Sequence, residues 1–467
     1  MRKLMIGGGM QRVPEQRRMT MTSGANTVGP VEGNGISRRG FMIGAAASGA
    51  VLAGMATPAA HAARGGDRHD SPRSFRNALS ISPFTAALLA AGVAYTDGVR
   101  TVDSLEGVQR LFMRHGANEV FARIATRRDA LQAPDAEHGF KMGLEKARLA
   151  RKLDLPFNPE LGLWNVYGDI SHQPGPDFAG YPQIRLPGPW ESLTLAEMTR
   201  AMREYGSRVA EQVLRTGAKV NIWDLGNEVE FGVAGVAVRS FTSETSYWSY
   251  AAPDAVDPEI GRMDAFQLFG RPDRVEWLRA HLWPYVAAIF TAVAEGVRKV
   301  DRGAKFSTHT STVALQVPGL FDAFYRAMAD FGFDVAELGV SFYPTAATSG
   351  NALTEFQATA TAASAKYGKK VFIAEVGYPS GTMGPPFAWN NPVPGYPADS
   401  DGEFRFYRDL TAWGAGSGVL AGIRPWAPDY TAGGWQPMSL FAPQGAVAVA
   451  EPAIGAIREG LVIAGAA

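Results

Sequence analysis

The chain has 467 residues, with 45 Lys plus Arg set against 45 Asp plus Glu, so it carries no formal net charge. No basic field is available to hold nucleic acid or an anionic membrane. The absence of cysteine excludes disulfides, thiolate metal sites and a cysteine nucleophile. The fold must therefore rest on a large buried core, which a chain of this length can supply.

The first segment reads as an address. Ser37-Arg38-Arg39-Gly40-Phe41-Met42 places a twin arginine before an apolar run, Phe41 to Met55, and Ala60-His61-Ala62 follows as a small-x-small cleavage site. This is the layout of a Tat export signal. The run is shorter than the about 20 residues that span a bilayer. The expectations are a leader over 1–62, passage through the Tat export machinery, no stable membrane insertion after cleavage, and a secreted or periplasmic (cell-envelope) protein. An N-terminal anchor or a chance arginine pair is the rival reading. Residues 1–62 hold seven Lys/Arg and two Asp/Glu, so the remainder has a net charge of −5. Residues 63–76 are polar and read as a flexible lead-in.

From residue 77 onward nothing divides the chain. Strand-like runs fall at Ala78–Pro83, Glu119–Thr126, Glu160–Tyr167, Lys219–Gly226, Lys305–Thr310, Glu337–Tyr343, Lys370–Val376 and Gly422–Ala427. Amphipathic patterns alternate with them at Leu105–His115, Phe140–Lys152, Thr194–Thr216, Trp277–Val300, Pro318–Phe331, Leu353–Tyr367 and Glu403–Ala412, and a last one spans Pro452–Ile463. Eight strands each followed by a helix predict an α/β protein, a (β/α)8 TIM barrel over 77–467. An open doubly wound sheet is the alternative, and no Gly-rich phosphate loop follows the first strand to support it. Trp277 and Trp283 fit the buried face of one helix.

In such a barrel the reacting groups sit at the carboxyl ends of the strands. Those ends carry Arg123, Trp164–Tyr167, Asn227 with Glu228, His309, Tyr343, Glu375 and Trp426. Two of them close apolar runs with a carboxylate: Ile222-Trp223-Asp224-Leu225-Gly226-Asn227-Glu228, and Val371-Phe372-Ile373-Ala374-Glu375-Val376-Gly377-Tyr378-Pro379. A glutamate at a strand end taken alone is as often a cap or a salt-bridge partner. Two of them in different environments, with an arginine and aromatics, suit glycosidic bond cleavage. One carboxyl must stay protonated to give up a proton, and the other must be ionised to attack the anomeric carbon.

Gly226-Asn227-Glu228 resembles the acid/base motif of clan A glycoside hydrolases. Gly339-Val340-Ser341-Phe342-Tyr343-Pro344, Tyr367-Gly368-Lys369-Lys370-Val371, Glu375-Val376-Gly377-Tyr378-Pro379 and Pro397-Ala398-Asp399-Ser400-Asp401-Gly402 are similar to family 53, the arabinogalactan endo-β-1,4-galactanases. The resemblance runs from about Leu105 to Asp429. It implies Glu228 as general acid/base and Glu375 as nucleophile. It further implies Asn227 on the sugar 2-hydroxyl, Tyr343 donating to the nucleophile, Arg123 supporting it electrostatically, and Trp426 as the platform under the sugar. The family's His-Tyr-Ser-Asp run after the third strand is replaced here by Leu163-Trp164-Asn165-Val166-Tyr167-Gly168-Asp169-Ile170-Ser171-His172-Gln173-Pro174. The loop expected to grip the substrate is therefore altered, which points to a divergent branch or to a different β-linked glycan.

His309 is expected to bind a sugar hydroxyl or to pack in the core. Asp169 and His172 are further loop candidates, and Asp224 reads as a packing residue. The insertion Phe241 to Pro272, with Tyr247, Trp248, Tyr250 and Phe266, either lines extra sugar subsites or packs as a satellite cluster. No metal-ligand spacing of histidines occurs. Oxygens near Asp399–Asp401 offer a structural calcium site that nothing in the sequence requires, and no cofactor is expected. A transglycosylase, or a carbohydrate-binding protein without turnover, would use the same site.

Overall fold

The computed structural model describes residues 75–128, 138–239 and 255–466. The twin-arginine segment and Tyr247, Trp248 and Tyr250 lie outside the described residues.

Eight parallel strands form the centre: β1 Arg76–Asn77, β2 Val120–Ile124, β3 Phe157–Leu161, β4 Trp223–Leu225, β5 in two pieces, Phe306–Ser307 and His309–Thr310, β6 Leu338–Phe342, β7 Val371–Val376 and β8 Leu420–Pro425. One sheet runs β2-β3-β4-β5 and the other β5-β6-β7-β8-β1, joined through the strand that is broken at Thr308. At the other seam Asn118 N–H donates to Asn77 O (3.1 Å) and Phe121 N–H to Ser80 Oγ (3.1 Å). Polar contacts replace a regular ladder there, and the strands close as a (β/α)8 barrel.

Eight helices follow the strands in order: α1 Leu105–Arg114, α2 Phe140–Leu153, α3 Leu195–Arg215, α4 Trp283–Arg298, α5 Leu320–Asp330, α6 Ala352–Tyr367, α7 Ser400–Gly416 and α8 Ala456–Ile463. Their starts are chemically marked. Ser104 caps α1, Thr194 and Glu197 form a capping box on α3, and Asp399 caps α7 through Gly402 N–H. Trp277 and Trp283 are buried as expected, though a π-helical turn, Leu278–Leu282, separates them. Among the described residues no helix is long and apolar enough to cross a membrane.

Two strands sit differently from expectation. β1 is Arg76–Asn77, so the lead-in ends earlier than residue 76, and Phe75 and Arg76 are already buried. β3 is Phe157-Asn158-Pro159-Glu160-Leu161, and Leu163 leaves the extended region at φ +62°. The proline inside this strand hides it from propensity, because proline is rarely central in a sheet. As a result Trp164 is a fully buried packing residue beyond the strand, and Glu160 takes the strand-end position.

Alternation along the strands separates two cores. Val120, Ala122, Ile124, Phe157, Leu161, Trp223 and Leu225 belong to the large apolar layer that packs under the helices. Among the intervening residues a polar row crosses the strands: Arg123 is in register with Glu160, Glu160 with Asp224, and Asp224 with Ser307. Barrel interiors are usually filled with branched aliphatic side chains. This one holds a layer of charges.

Candidate active site

β4 stops at Leu225, and the chain turns through Gly226 (φ +73°) to Glu228 (φ +52°). A Cβ at Gly226 would meet Val229 Cγ1 at 2.3 Å, so glycine is required for the turn. Left-handed backbone at a glutamate costs on the order of 1–3 kcal/mol and persists only where the surroundings impose it. Here Gly226 N–H donates to Leu161 O (2.8 Å), Val229 N–H to His309 O (3.2 Å) and Gln173 Nε2 to Asn227 O (2.7 Å).

All seven residues singled out from the sequence as site residues converge at this end of the barrel. Glu375, near the end of β7, accepts from Arg123 Nη2 at 2.5 Å and from the Tyr343 hydroxyl at 2.8 Å. Arg123 also donates to Asn227 Oδ1 (3.0 Å), and its guanidinium lies 4.2 Å from the centre of the half-buried Trp426 ring. His309 Nε2 reaches Asn227 Oδ1 at 2.8 Å. An amide oxygen only accepts, so this nitrogen carries the proton. Burial, then the charges of Arg424 and Arg123, hold the imidazole well below its usual pKa, so it is neutral. His309 is buried and its Nε2 braces the Asn227 amide.

The two glutamates have opposite surroundings. Burial, and then the negative charges of Glu375, Asp169 and Glu230, push Glu228 well above the ordinary carboxylate range. A single N–H, from Ile170 to Oε2 at 3.2 Å, opposes this. Glu375 instead faces a guanidinium and a phenol, and accepts a hydrogen bond from each. The phenol keeps its own proton, because burial and then the charge of Glu375 hold Tyr343 well above its usual range. The two carboxyls thus sit in contrasting surroundings, Glu228 buried among negative charges and Glu375 between two donors.

The altered loop after β3 serves the strand end as well as the cleft. Gly168 O accepts from Asn227 Nδ2 (2.8 Å), Ile170 N–H holds Glu228, and Gln173 holds Asn227 O. Burial would raise Asp169, but hydrogen bonds from His172 and Ser171 outweigh it and lower its pKa. Its charge therefore stands beside Glu228. Asp224 binds Arg424 and Ser307 in the interior, in keeping with a structural residue.

Sequence reasoning missed three sets of residues. Glu160 and Arg424 are fully buried, and Glu160 accepts from both Arg123 and Arg424. Glu230, buried and pushed up to about 7 chiefly by that burial, accepts from Ser311 N–H and its hydroxyl. The loop after β7 brings Trp389 to 5.1 Å and Trp435 lies 6.0 Å from the Tyr343 ring, with Phe387 between them at 5.2 Å from each. Asn391 pins this loop through Thr345 O and Ala347 O. Phe387-Ala388-Trp389 after a strand-end carboxylate was the available signal. Of the insertion's aromatics, Phe266 is described and is 58% exposed. Asp399 caps α7 and Asp401 pairs with Arg405. No cluster of three or more acidic or histidine side chains that could hold a metal occurs among the described residues.

Comparisons with known proteins agree with this architecture. The structure is similar to the GH53 catalytic domain of Ignisphaera aggregans, with a TM-score of 0.61 and 16% identity, covering 84% of this chain and 98% of that one. It is also similar to a structure described among two fungal beta-1,4-galactanases, with a TM-score of 0.58 and 18% identity, covering 82% of this chain and 99% of that one. At these identities the likeness is one of fold. A search of curated protein sequences finds no match. The sequence profile of glycosyl hydrolase family 53 matches residues 177–445, from just beyond the divergent β3 loop through both glutamates to the end of the barrel. The chain belongs to glycosyl hydrolase family 53 and is a glycoside hydrolase.

Proposed function

We propose that the protein cleaves β-1,4-galactan, or the galactan side chains of arabinogalactan, by double displacement. The observation that carries this reading is the contrast between the two glutamates: Glu228 is buried among negative charges, while Glu375 lies between Arg123 and the Tyr343 hydroxyl. Glu375 attacks the anomeric carbon as the leaving oxygen takes the proton of Glu228. Glu228, now a carboxylate, removes a proton from water, which displaces Glu375 and restores the anomeric configuration. Asn227 bonds the sugar next to the nucleophile. Trp426 on one side and Phe387 with Trp389 on the other offer aromatic faces to the C–H faces of galactose. The chemistry uses two carboxyls and calls for no cofactor. The substrate follows from family membership and from the galactanase description of the fungal relative. Export by the Tat route follows from Arg38-Arg39 and the apolar run after them, and suits a polysaccharide substrate outside the cell.

The test is release of reducing ends by the chain from Ala63 onward, across a panel of β-linked polysaccharides that includes β-1,4-galactan, with NMR of the first-formed anomer. Galactan turnover with retention, lost in Glu228→Ala and Glu375→Ala, is expected. Activity surviving Glu375→Ala, or an inverted first product, would overturn the mechanism. Turnover of another glycan alone would overturn the substrate.

A further inference from the structure

Behind the two glutamates lies a closed ring of hydrogen bonds. Arg123 donates through Nη2 to Glu375 Oε1 and through Nε to Glu160 Oε1, both at 2.5 Å. Glu160 Oε2 accepts from Arg424 Nη2 at 3.0 Å. Arg424 Nε in turn donates to the carbonyl of Ala374 at 2.6 Å, one residue before Glu375. The ring leaves Glu375 by its side chain and returns to it by its backbone. Its three charged members other than Glu375 are at most 2% exposed, so water cannot replace a missing link. The guanidiniums are further fixed over aromatic faces, Arg424 at 3.6 Å from the Phe121 ring centre and Arg123 over Trp426.

We propose that Glu160 is a positioning residue for Glu375: its two oxygens hold both arginines, and so fix the guanidinium that aims the reacting carboxylate and the carbonyl that fixes its backbone. The inference rests on the reading of Glu375 as the nucleophile. Without the bridge Arg123 keeps the contacts of Nη2 with Glu375 and Asn227 but loses the carboxylate that anchors Nε and ties it to Arg424. Glu160 is fully buried and both of its oxygens are occupied by the arginines.

The experiment compares Glu160→Gln and Glu160→Asp with the wild-type protein in two readouts. The first is kcat and KM on the best substrate of the glycan panel. A displacement of about 1 Å at a reacting group costs about a hundredfold, so kcat should fall by about that factor in Glu160→Gln with KM nearly unchanged. Glu160→Asp keeps a carboxyl with two accepting oxygens but is shorter, and should recover part of the loss. The second readout needs no turnover: the side-chain NMR signal of the Arg123 guanidinium, assigned by its disappearance in Arg123→Lys. It should be sharp and slowly rotating in the wild type, and averaged in the Gln variant. If Glu160→Gln does not fold, Glu160→Asp carries both readouts. An unchanged Arg123 signal, or kcat within about twofold of wild type, would overturn the positioning role. A wild-type protein inactive on every glycan, with an Arg123 signal that still collapses, would instead remove the functional reading and leave the bridge standing.

Discussion

Replacing Tyr343 by phenylalanine isolates one bond of the site. The ring contacts with Trp389 and Trp435 survive, and only the hydroxyl that donates to Glu375 Oε2 at 2.8 Å is lost. Both partners are 5% exposed, so no solvent donor substitutes for it. Removing the whole of a buried charge's pairing costs about 3–5 kcal/mol, but Glu375 Oε1 keeps Arg123. The relevant magnitude is that of one hydrogen bond to a charged group, about 1.5–3 kcal/mol. At 1.36 kcal/mol per decade this is about a ten- to two-hundredfold loss of kcat. The assay is steady-state hydrolysis of galactan, with circular dichroism to establish folding. An unchanged kcat in a folded variant would show that the phenol does not support Glu375. A loss as deep as that of Glu375→Ala would refute the reasoning from the other side, because the phenol would then do more than supply one hydrogen bond.

Three further substitutions test separate parts of the structure. Asp169→Asn removes a negative charge that helps keep Glu228 protonated, so the alkaline limb of kcat/KM should move to lower pH; a limb that stays in place would free Asp169 of that role. Trp389→Ala should raise KM severalfold on galactan while leaving kcat within about twofold, since apolar surface covered by a sugar's C–H face contributes about 25 cal/mol per Å²; equal losses in kcat would assign Trp389 to holding Tyr343 instead. Gly206→Ala should lower the thermal midpoint, because its Cβ would meet Val293 O at 2.4 Å where α3 crosses α4; overpacking of this kind costs about 1–3 kcal/mol, and an unchanged melting curve would show that the helices part freely.

The eight-fold alternation was legible because apolar runs and amphipathic periods recur in order, and the two glutamates were legible because each closes such a run. What escaped was decided by tertiary context. Pro159 concealed β3 and moved the expected strand end from Glu160 to Trp164, so the carboxylate in register with Arg123 went unnoticed. Arg424 sits in a strand of glycine, isoleucine and proline, and nothing local shows that its guanidinium turns inward. His309 was legible as a site residue, but its direction was not: its Nε2 braces the Asn227 amide. The β3 loop was expected to grip substrate, yet its Gly168 carbonyl and Ile170 N–H hold Asn227 and Glu228. A backbone contact of that kind has no signature in side-chain identity.

The charged interior has a consequence for stability that can be separated from catalysis. At the floor of the barrel Arg76 bonds Glu119 and Glu337, far along the strands from Glu375. Burial, against the opposing charge of Arg76, pushes Glu337 up to about 7. A carboxyl whose folded pKa exceeds its unfolded value binds its proton more tightly in the folded state. Its favourable contribution is complete below the unfolded pKa, about 4.3, and is lost as pH rises through about 7. Glu337→Gln fixes the neutral form and cannot follow this change. Its stability relative to wild type should therefore be better at pH 8 than at pH 5, whatever the sign of the difference at either pH. Denaturant unfolding of both proteins at the two pH values measures this directly. A relative stability that moves the other way would mean that Arg76 stabilises the charged form of Glu337 more than burial opposes it, and that the floor of the barrel is held by an ion pair whose attraction exceeds its desolvation.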